Sequence, residues 1–299
     1  MKRKNLFLAI FFVPLFAYSQ IRVIMNGGTT PPSYETLDAS VFRVFYEFDS
    51  PSTFMMQKED SAKRKDKDFM VLEIGEKGIS KFFSDNKRRM DSLLNEMIKI
   101  NPSNINITKD FLEKNGVSSG GSDFVVYKNY PEGKMTIMDF IVTSNYLYEE
   151  DLNEIQWQIS SDTMTCLKYL CQKASCDFRG RHYDAWFASD LPINDGPWKF
   201  MGLPGLILNV SDSDSLFTFK AVGLENSVLP IQIPKQRQNY MKASRKEIAK
   251  VKKRSVEDPM GFIKDANPGS KIDIKIKDDE GNEKRNEEIH FIYNPIELE

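Results

Sequence analysis

The sequence predicts a mainly β protein of the α+β class: a curved antiparallel sheet or half-barrel with one or two packed helices. Short β-rich segments follow one another from residue 41 to residue 223. The intervals between them are too short for crossover helices, so neighbouring strands should pair antiparallel. A sheet of about ten such strands would curl or close. The chain is 40% hydrophobic and 28% charged, which is ordinary for a globular protein and excludes collagen-like and wholly disordered classes.

The N-terminus has the pattern of a Sec signal peptide. A basic start, Lys2 to Lys4, precedes an apolar run from Leu6 to Phe16, and small residues end at Ser19. This run is far shorter than the ~20 residues of a membrane-spanning helix. We therefore predict a signal peptide at 1–19 and an exported protein, located in the periplasm, at the outer-membrane face or outside the cell. Residues 20–39 should form a loose leader.

Residues 40–233 are predicted to form one antiparallel β domain with a single early helix. That helix should cover Asp85 to Ile100, where apolar residues recur at spacings of three, four and seven. The predicted strands are, in order, Val41–Phe48, Phe69–Ile74, Ile79–Phe83, Phe124–Lys128, Lys134–Phe140, Glu154–Ile159, Cys166–Phe178, Tyr183–Ala188, Trp198–Met201, Leu206–Val210 and Leu216–Gly223.

Residues 234–299 are predicted to be peripheral. Pro234 to Val256 reads as a basic helix, and Ile272–Lys277 with Ile289–Tyr293 reads as a charged hairpin. The basic stretch from Lys235 to Arg254 would either contact anionic lipid headgroups at a membrane surface or form a solvated helix face.

Charge and histidine content narrow the ligands. With 41 Lys and Arg against 43 Asp and Glu, the chain lacks the basic excess of a nucleic-acid-binding protein. Two histidines argue against a His-rich metal site, and the acidic turns at 211–215 and 278–283 do not match a calcium loop. We predict no cofactor and no metal site.

Three cysteines, Cys166, Cys171 and Cys176, are spaced by five residues. Export would permit a disulfide, and an odd number leaves at least one thiol free. Residues five apart on a straight strand lie about 16 Å apart, whereas a bridge needs Cα atoms within about 7 Å. A Cys166–Cys176 bridge would therefore require a bend at Lys168 to Tyr169.

The segment from Phe178 to Trp186 holds the strongest candidate binding residues. In an extended segment, Arg179, Arg181 and Tyr183 share one face, and His182, Asp184 and Trp186 share the other. Paired arginines would clamp a carboxylate or phosphate, or else pair with acids of other strands. The candidate binding residues are Arg179, Arg181, Tyr183, Trp186 and Trp198. His182 and Asp184 would suit a hydrolase, but the chain has no nucleophile motif, so no catalytic residue is assigned.

A second notable string is Gly202-Leu203-Pro204-Gly205-Leu206-Ile207. Together with Phe178–Arg181, Tyr183–Phe187 and Gly196–Phe200, it closely resembles the GLPGLI family of exported Bacteroidetes-type proteins. The resemblance covers roughly residues 41–224. It implies no particular activity. Some members are encoded beside TonB-dependent receptors, which implies a role in the envelope.

The string has a physical explanation without chemistry. Leu203-Pro204-Gly205-Leu206 fits a type II turn, in which Pro fixes φ near −65° and Gly takes positive φ at the third position. Burial of Leu203 and Leu206 would indicate a folding element. Their exposure would indicate a tip that touches a partner or lipid.

Three functions remain open. The first is a non-catalytic binding or scaffold module, with an outer-membrane protein or an apolar ligand as partner on the concave face. The second is a hydrolase using His182 and Asp184, and the third is an accessory to TonB-dependent uptake. An open apolar groove would indicate a carrier, a tight core a scaffold, and a polar pocket around His182 an enzyme.

Overall fold

The computed structural model describes most of the chain after residue 31. The described residues are 20–23, 32–52, 54–55, 65–100, 105–117, 121–142, 144–152, 155–266, 276–277, 283–284, 290–291 and 293–298. The predicted signal peptide at 1–19 and the acidic turn at 278–282 lie outside them.

The strands are, in chain order, β1 Gln20–Val23, β2 Tyr34–Pro51, β3 Phe54–Met55, β4 Lys65–Gly75, β5 Ser80–Ser84, β6 Ile105–Thr108, β7 Val125–Lys128, β8 Lys134–Ile141, β9 Ser144–Asp151, β10 Gln158–Cys166, β11 Tyr169–Phe178, β12 Arg181–Ala188, β13 Leu206–Asp212, β14 Thr218–Asn226, β15 Pro230–Pro234, β16 Met241–Lys242, β17 Ile276–Lys277, β18 Glu283–Lys284 and β19 His290–Phe291. The helices are α1 Asp85–Ile100, α2 Lys109–Lys114, α3 Arg245–Glu257 and α4 Pro259–Ala266, with a 3-10 turn at Arg237–Asn239.

Most of these strands form one thirteen-stranded sheet, in the order β10-β11-β12-β13-β14-β2-β4-β5-β7-β8-β9-β16, with β15 also paired to β2. The pairs are antiparallel except β16 with β9. The predicted mainly β, curved and open sheet is confirmed. The long strand β2 joins two meanders, because β4 pairs with one of its edges while β14 and β15 share the other.

Register shifts along the sheet account for its curvature, since a bulge bends its strand and increases the local twist. They fall between Ser40 and Phe42, Ile159 and Thr163, Trp186 and Phe187, and Ala221 and Gly223.

The predicted helix at Asp85–Ile100 has those bounds in the structure. Its residues Met90 and Leu94 are buried against Leu112 and Val117. The loose leader predicted for 20–39 is wrong in part. Gln20–Val23 pair with β6, and β2 already begins at Tyr34, where β15 pairs with it.

Three other element predictions need correction. Cys166–Phe178 is not one strand, because Leu167 and Lys168 take positive φ and close a hairpin. Trp198–Met201 is a turn rather than a strand, and the sequence reading missed β9. The basic helix begins at Arg245, after the short elements at 237–242.

The predicted peripheral position of residues 234–299 is also wrong for two pieces. Ile248 of α3 belongs to the main core, and Ile296 packs against it. In the predicted terminal hairpin, β17 pairs with β18 instead of residues 289–293, and β19 pairs with β3.

The three cysteines are free and buried. The predicted condition for a Cys166–Cys176 bridge fails because the bend falls at Leu167–Lys168, which pairs Cys166 with Tyr169. Cys176 then lies at the far end of β11, opposite Tyr183. Burial raises the pKa of the Cys171 and Cys176 thiols to about 12.

One face of the sheet, called here the inner face, carries the main core. Strands from both meanders contribute to it, from Val44 and Leu72 to Phe187 and Phe219. These side chains are 0% exposed, so the inner face is a packed core. Among the described helices, none is both long and apolar enough to cross a bilayer.

Candidate functional site

The loop between β12 and β13, residues 189–205, fills the centre of the inner face. Trp198 and Phe200 are buried there. The Phe200 ring centroid lies 4.8 Å from that of Tyr183 and 5.3 Å from that of Trp198, in edge-on contacts that favour aromatic pairs. The predicted binding residue Trp198 is therefore part of the core.

The type II turn predicted at Leu203–Leu206 is wrong. Positive φ falls on Gly202, at 101°, and not on Gly205. Gly205 is required for a different reason: a Cβ there would lie 2.7 Å from the carbonyl carbon of Ala188 and closer still to its oxygen. No side chain fits where two backbone segments approach so closely.

Leu203, Leu206 and Ile207 are at most 1% exposed. The alternative in which the string forms an exposed tip is therefore wrong. The loop continues into β13, where the Leu206 and Ile207 amides donate to the Leu191 and Asp195 carbonyls.

A buried lysine fixes this loop to the sheet. Lys128 of β7 is 2% exposed, and its Nζ donates to Asp195 Oδ1 at 2.5 Å, to the Gly196 carbonyl at 2.6 Å and to the Phe200 carbonyl at 3.0 Å. Burial lowers the pKa of Lys128, and Asp195 opposes this effect. Three acceptors satisfy the three donors of an ammonium group, as a buried charge requires.

A second buried lysine in the same loop organises a charged cluster. Lys199 is 1% exposed, and its Nζ lies 2.6 Å from Glu150 Oε2 of β9 and 2.5 Å from Glu297 Oε1. Arg179 Nη2 and Arg245 Nε reach the other Glu150 oxygen at 3.0 and 3.2 Å. Arg245 also lies 3.9 Å from Glu297.

The predicted pair Arg179 and Arg181 is brought to one region, but by a turn instead of a continuous strand. Arg179 and Gly180 take positive φ and close the β11–β12 hairpin. Arg181 pairs with the buried Asp212 at 3.2 Å, while Arg179 pairs with Glu150. Both guanidinium groups thus contact acids of other strands, one of the two predicted alternatives.

The C-terminal residues 293–298 lie across these arginines. Arg181 Nη2 donates to Asn294 Oδ1 at 2.6 Å and to the Pro295 carbonyl at 2.7 Å. The Tyr183 hydroxyl donates to the Ile296 carbonyl at 3.1 Å, and the Leu298 amide donates to the Arg179 carbonyl at 2.9 Å. We call this place, formed by Glu150, Arg179, Arg181, Tyr183, Lys199 and Arg245, the C-terminal groove.

His182, Asp184 and Trp186 occupy the opposite side of β12 from Arg181 and Tyr183, as predicted from strand alternation. His182 Nδ1 lies 2.8 Å from Asp177 Oδ1, and both side chains are largely exposed. Asp184 instead accepts from Ser175 Oγ at 2.6 Å and pairs with Lys173 at 3.0 Å. The hydrolase alternative is therefore wrong about this pair, since the two side chains do not bond to each other.

The sequence reading missed Glu150, Arg245 and Glu297, and it read Lys199 only as part of a family string. No local pattern marks them, because their partners lie far away along the chain. Among the described residues, no group of three or more His, Cys, Asp and Glu side chains is placed to bind a metal ion. A shallow surface groove of about 480 Å³ lies elsewhere, between Leu167–Tyr169 and Gly223–Asn226.

The fold and this groove define a class: an open, curved antiparallel sheet with a filled inner face that holds the end of its own chain. A family model described as "Protein of unknown function (Porph_ging)", a family associated with Bacteroidetes, matches residues 179–209. The match includes Arg179, Arg181, Tyr183 and Lys199. No curated protein matches the chain.

Two solved structures have a similar fold. They are described as "Structure of PNGF-II in C2 space group" and "Structure of PNGF-II in P21 space group", each with a TM-score of 0.44 and 12% sequence identity. The match covers 73% of this chain and only 33% and 34% of theirs, so the chain spans about a third of their length.

Proposed function

We propose that this protein is an exported, non-catalytic binding module of the cell envelope, of the GLPGLI type. The observation that carries the non-catalytic role is the filled inner face: Phe200, Leu203 and Phe219 occupy the space in which a carrier or an enzyme would hold its substrate. The GLPGLI assignment is supported by the string at 202–207, which falls inside the residues that the family model matches.

Export is tested on protein made in the producing cell. Mass spectrometry of the soluble envelope fraction should find a mature chain that begins at Gln20, with residues 1–19 removed. An intact Met1 in a soluble cytoplasmic pool would overturn the proposed export.

The non-catalytic role is tested by His182→Ala. His182 and Asp177 form an exposed cross-strand pair, and such pairs contribute about 0–1 kcal/mol to stability. We expect the variant to melt within a few degrees of the parent. If the parent hydrolyses a model ester or glycoside and this substitution abolishes the activity, the role is catalytic.

A further inference from the structure

The C-terminal groove contacts nearly every polar group that residues 293–298 offer. Arg181 binds the Asn294 side chain and the Pro295 carbonyl, and Tyr183 binds the Ile296 carbonyl. Ile296 packs on the main core. Main-chain bonds that give affinity, combined with side-chain contacts that give specificity, are how proteins recognise extended peptides.

The charges of the groove require an acidic occupant. Arg179, Lys199 and Arg245 face one carboxylate of the sheet, Glu150. Glu297 supplies the second carboxylate. Without it, three cations would share one acid, and Lys199, at 1% exposure, would keep a single ionic partner. Uncompensated buried charge is costly, so an empty groove should attract a carboxylate.

One donor in the groove is not used by the C-terminal segment. Arg179 Nε is buried and has no hydrogen-bond acceptor among the described residues. Buried donors are normally paired, so the groove can hold one more acceptor than this segment provides. Residues 293–298 also form no strand with the sheet, and exchangeable polar contacts and one aliphatic side chain hold them.

We propose that the C-terminal groove is a receptor for an extended peptide of a partner protein, with an aliphatic residue followed by Glu, and that residues 293–298 are its occupant in the free chain. This inference rests on the proposed binding role and names its ligand class. The partner segment displaces Asn294–Glu297 and returns a carboxylate to Lys199 and Arg245.

The test uses the full chain with Glu297→Lys, which sets a cation against Lys199 and Arg245 and expels the segment. The probe is a fluorescent, end-blocked peptide with the sequence Tyr-Asn-Pro-Ile-Glu-Leu, followed by anisotropy. We expect binding about tenfold or more tighter than to the parent chain, whose groove is filled, and a decline with added salt.

Two control peptides sharpen the result. Glu replaced by Lys in the probe should weaken binding by about tenfold or more, because the carboxylate is lost. Replacement of the final Leu by Ser should leave binding unchanged, since Leu298 is 56% exposed. Equal binding of the Glu and Lys probes would overturn the carboxylate requirement.

A second protein guards against a variant that fails to fold. A protease site placed between Ala266 and Ile276 of the otherwise unchanged chain leaves every groove side chain intact, and cleavage lets the probe compete with the original segment. If neither the folded variant nor the folded, cleaved chain binds the probe, the inference fails while the proposed export and non-catalytic role stand. A concentration-dependent dimer of the parent, measured by analytical ultracentrifugation and lost with Glu297→Lys, would overturn the partner in favour of a second copy.

Discussion

Lys199 and Glu297 are 98 residues apart in the chain, yet Nζ of the lysine lies 2.5 Å from Oε1 of the glutamate. Glu150 is the second carboxylate on the same ammonium group, at 2.6 Å. Burial, and then Glu297, raise the pKa of the neighbouring Tyr148 well above its ordinary value. The end of the chain thus takes part in the electrostatic balance of the core.

Glu297→Ala should lower the free energy of unfolding by about 1–3 kcal/mol, because a buried charge loses one of its two ionic partners. Urea unfolding measures the change. The matched control is Glu225→Ala, whose side chain is 48% exposed in its pair with Arg43 and should cost within about 1 kcal/mol. Equal midpoints for the two variants would show that the contact with Lys199 contributes nothing to stability.

Gly205→Ala should destabilise the protein by about 1–3 kcal/mol or more, because the added methyl group meets the Ala188 backbone, which cannot move aside as a flexible side chain can. The expected signs are a lower melting temperature or aggregation. Gly223→Ala is the control, since its nearest neighbour would be the Phe45 ring at 3.3 Å, which can shift by a few tenths of an ångström. If both variants melt alike, close backbone approach does not explain the glycine.

Asp123 should make stability depend on pH. Burial raises its pKa from 3.8 to about 7, with Asp139 and Asp91 adding to the rise and Lys87 and Lys252 opposing it. The folded state therefore binds a proton that the unfolded state releases between pH 4 and 7. The stability from this group is present at low pH and is lost as pH rises through about 7.

Asp123→Asn keeps the side chain neutral, so it should raise the melting temperature relative to the parent at pH 8 more than at pH 5. Thermal unfolding at both values measures this difference, and other titrating groups cancel because they are common to both proteins. A difference between variant and parent that is the same at pH 5 and pH 8 would contradict the raised pKa.

The three thiols should be unreactive in the folded protein. With a pKa of about 12, only a small fraction of Cys171 and Cys176 is thiolate at pH 8, and thiolate is the reactive form. Burial also raises the pKa of Cys166. Ellman's reagent should label three thiols in denaturant and react slowly without it. Fast labelling of the native protein, or an intact mass 2 Da below the reduced value, would contradict this picture.

Local patterns predicted the elements that local physics controls. Asp85–Ile100 was readable because its apolar spacing sets both the helix and its buried side. The alternation of Arg181 and Tyr183 against His182 and Asp184 also follows from one strand alone.

Patterns that depend on distant neighbours were misread. Gly205 looked like a turn residue because Pro precedes it, whereas its real constraint is the backbone of Ala188, on the other side of the loop. The partners of Lys199 lie on β9 and at the C-terminus, and no spacing rule connects them. The bend at Leu167–Lys168 carries no Gly, Pro or Asn, so turn chemistry gave no signal there.

The position of β2 has a consequence for how the chain folds. Its partner on one edge, β4, follows directly, but β14 and β15, which share the other edge, come after most of the remaining sheet. Closing so long a loop costs entropy before the pairing repays it, so we expect refolding on the slow scale of large β topologies. As the chain emerges N-terminus first, that edge of β2 is left unpaired longest. In an unfinished molecule, it is the edge most open to pairing with another chain.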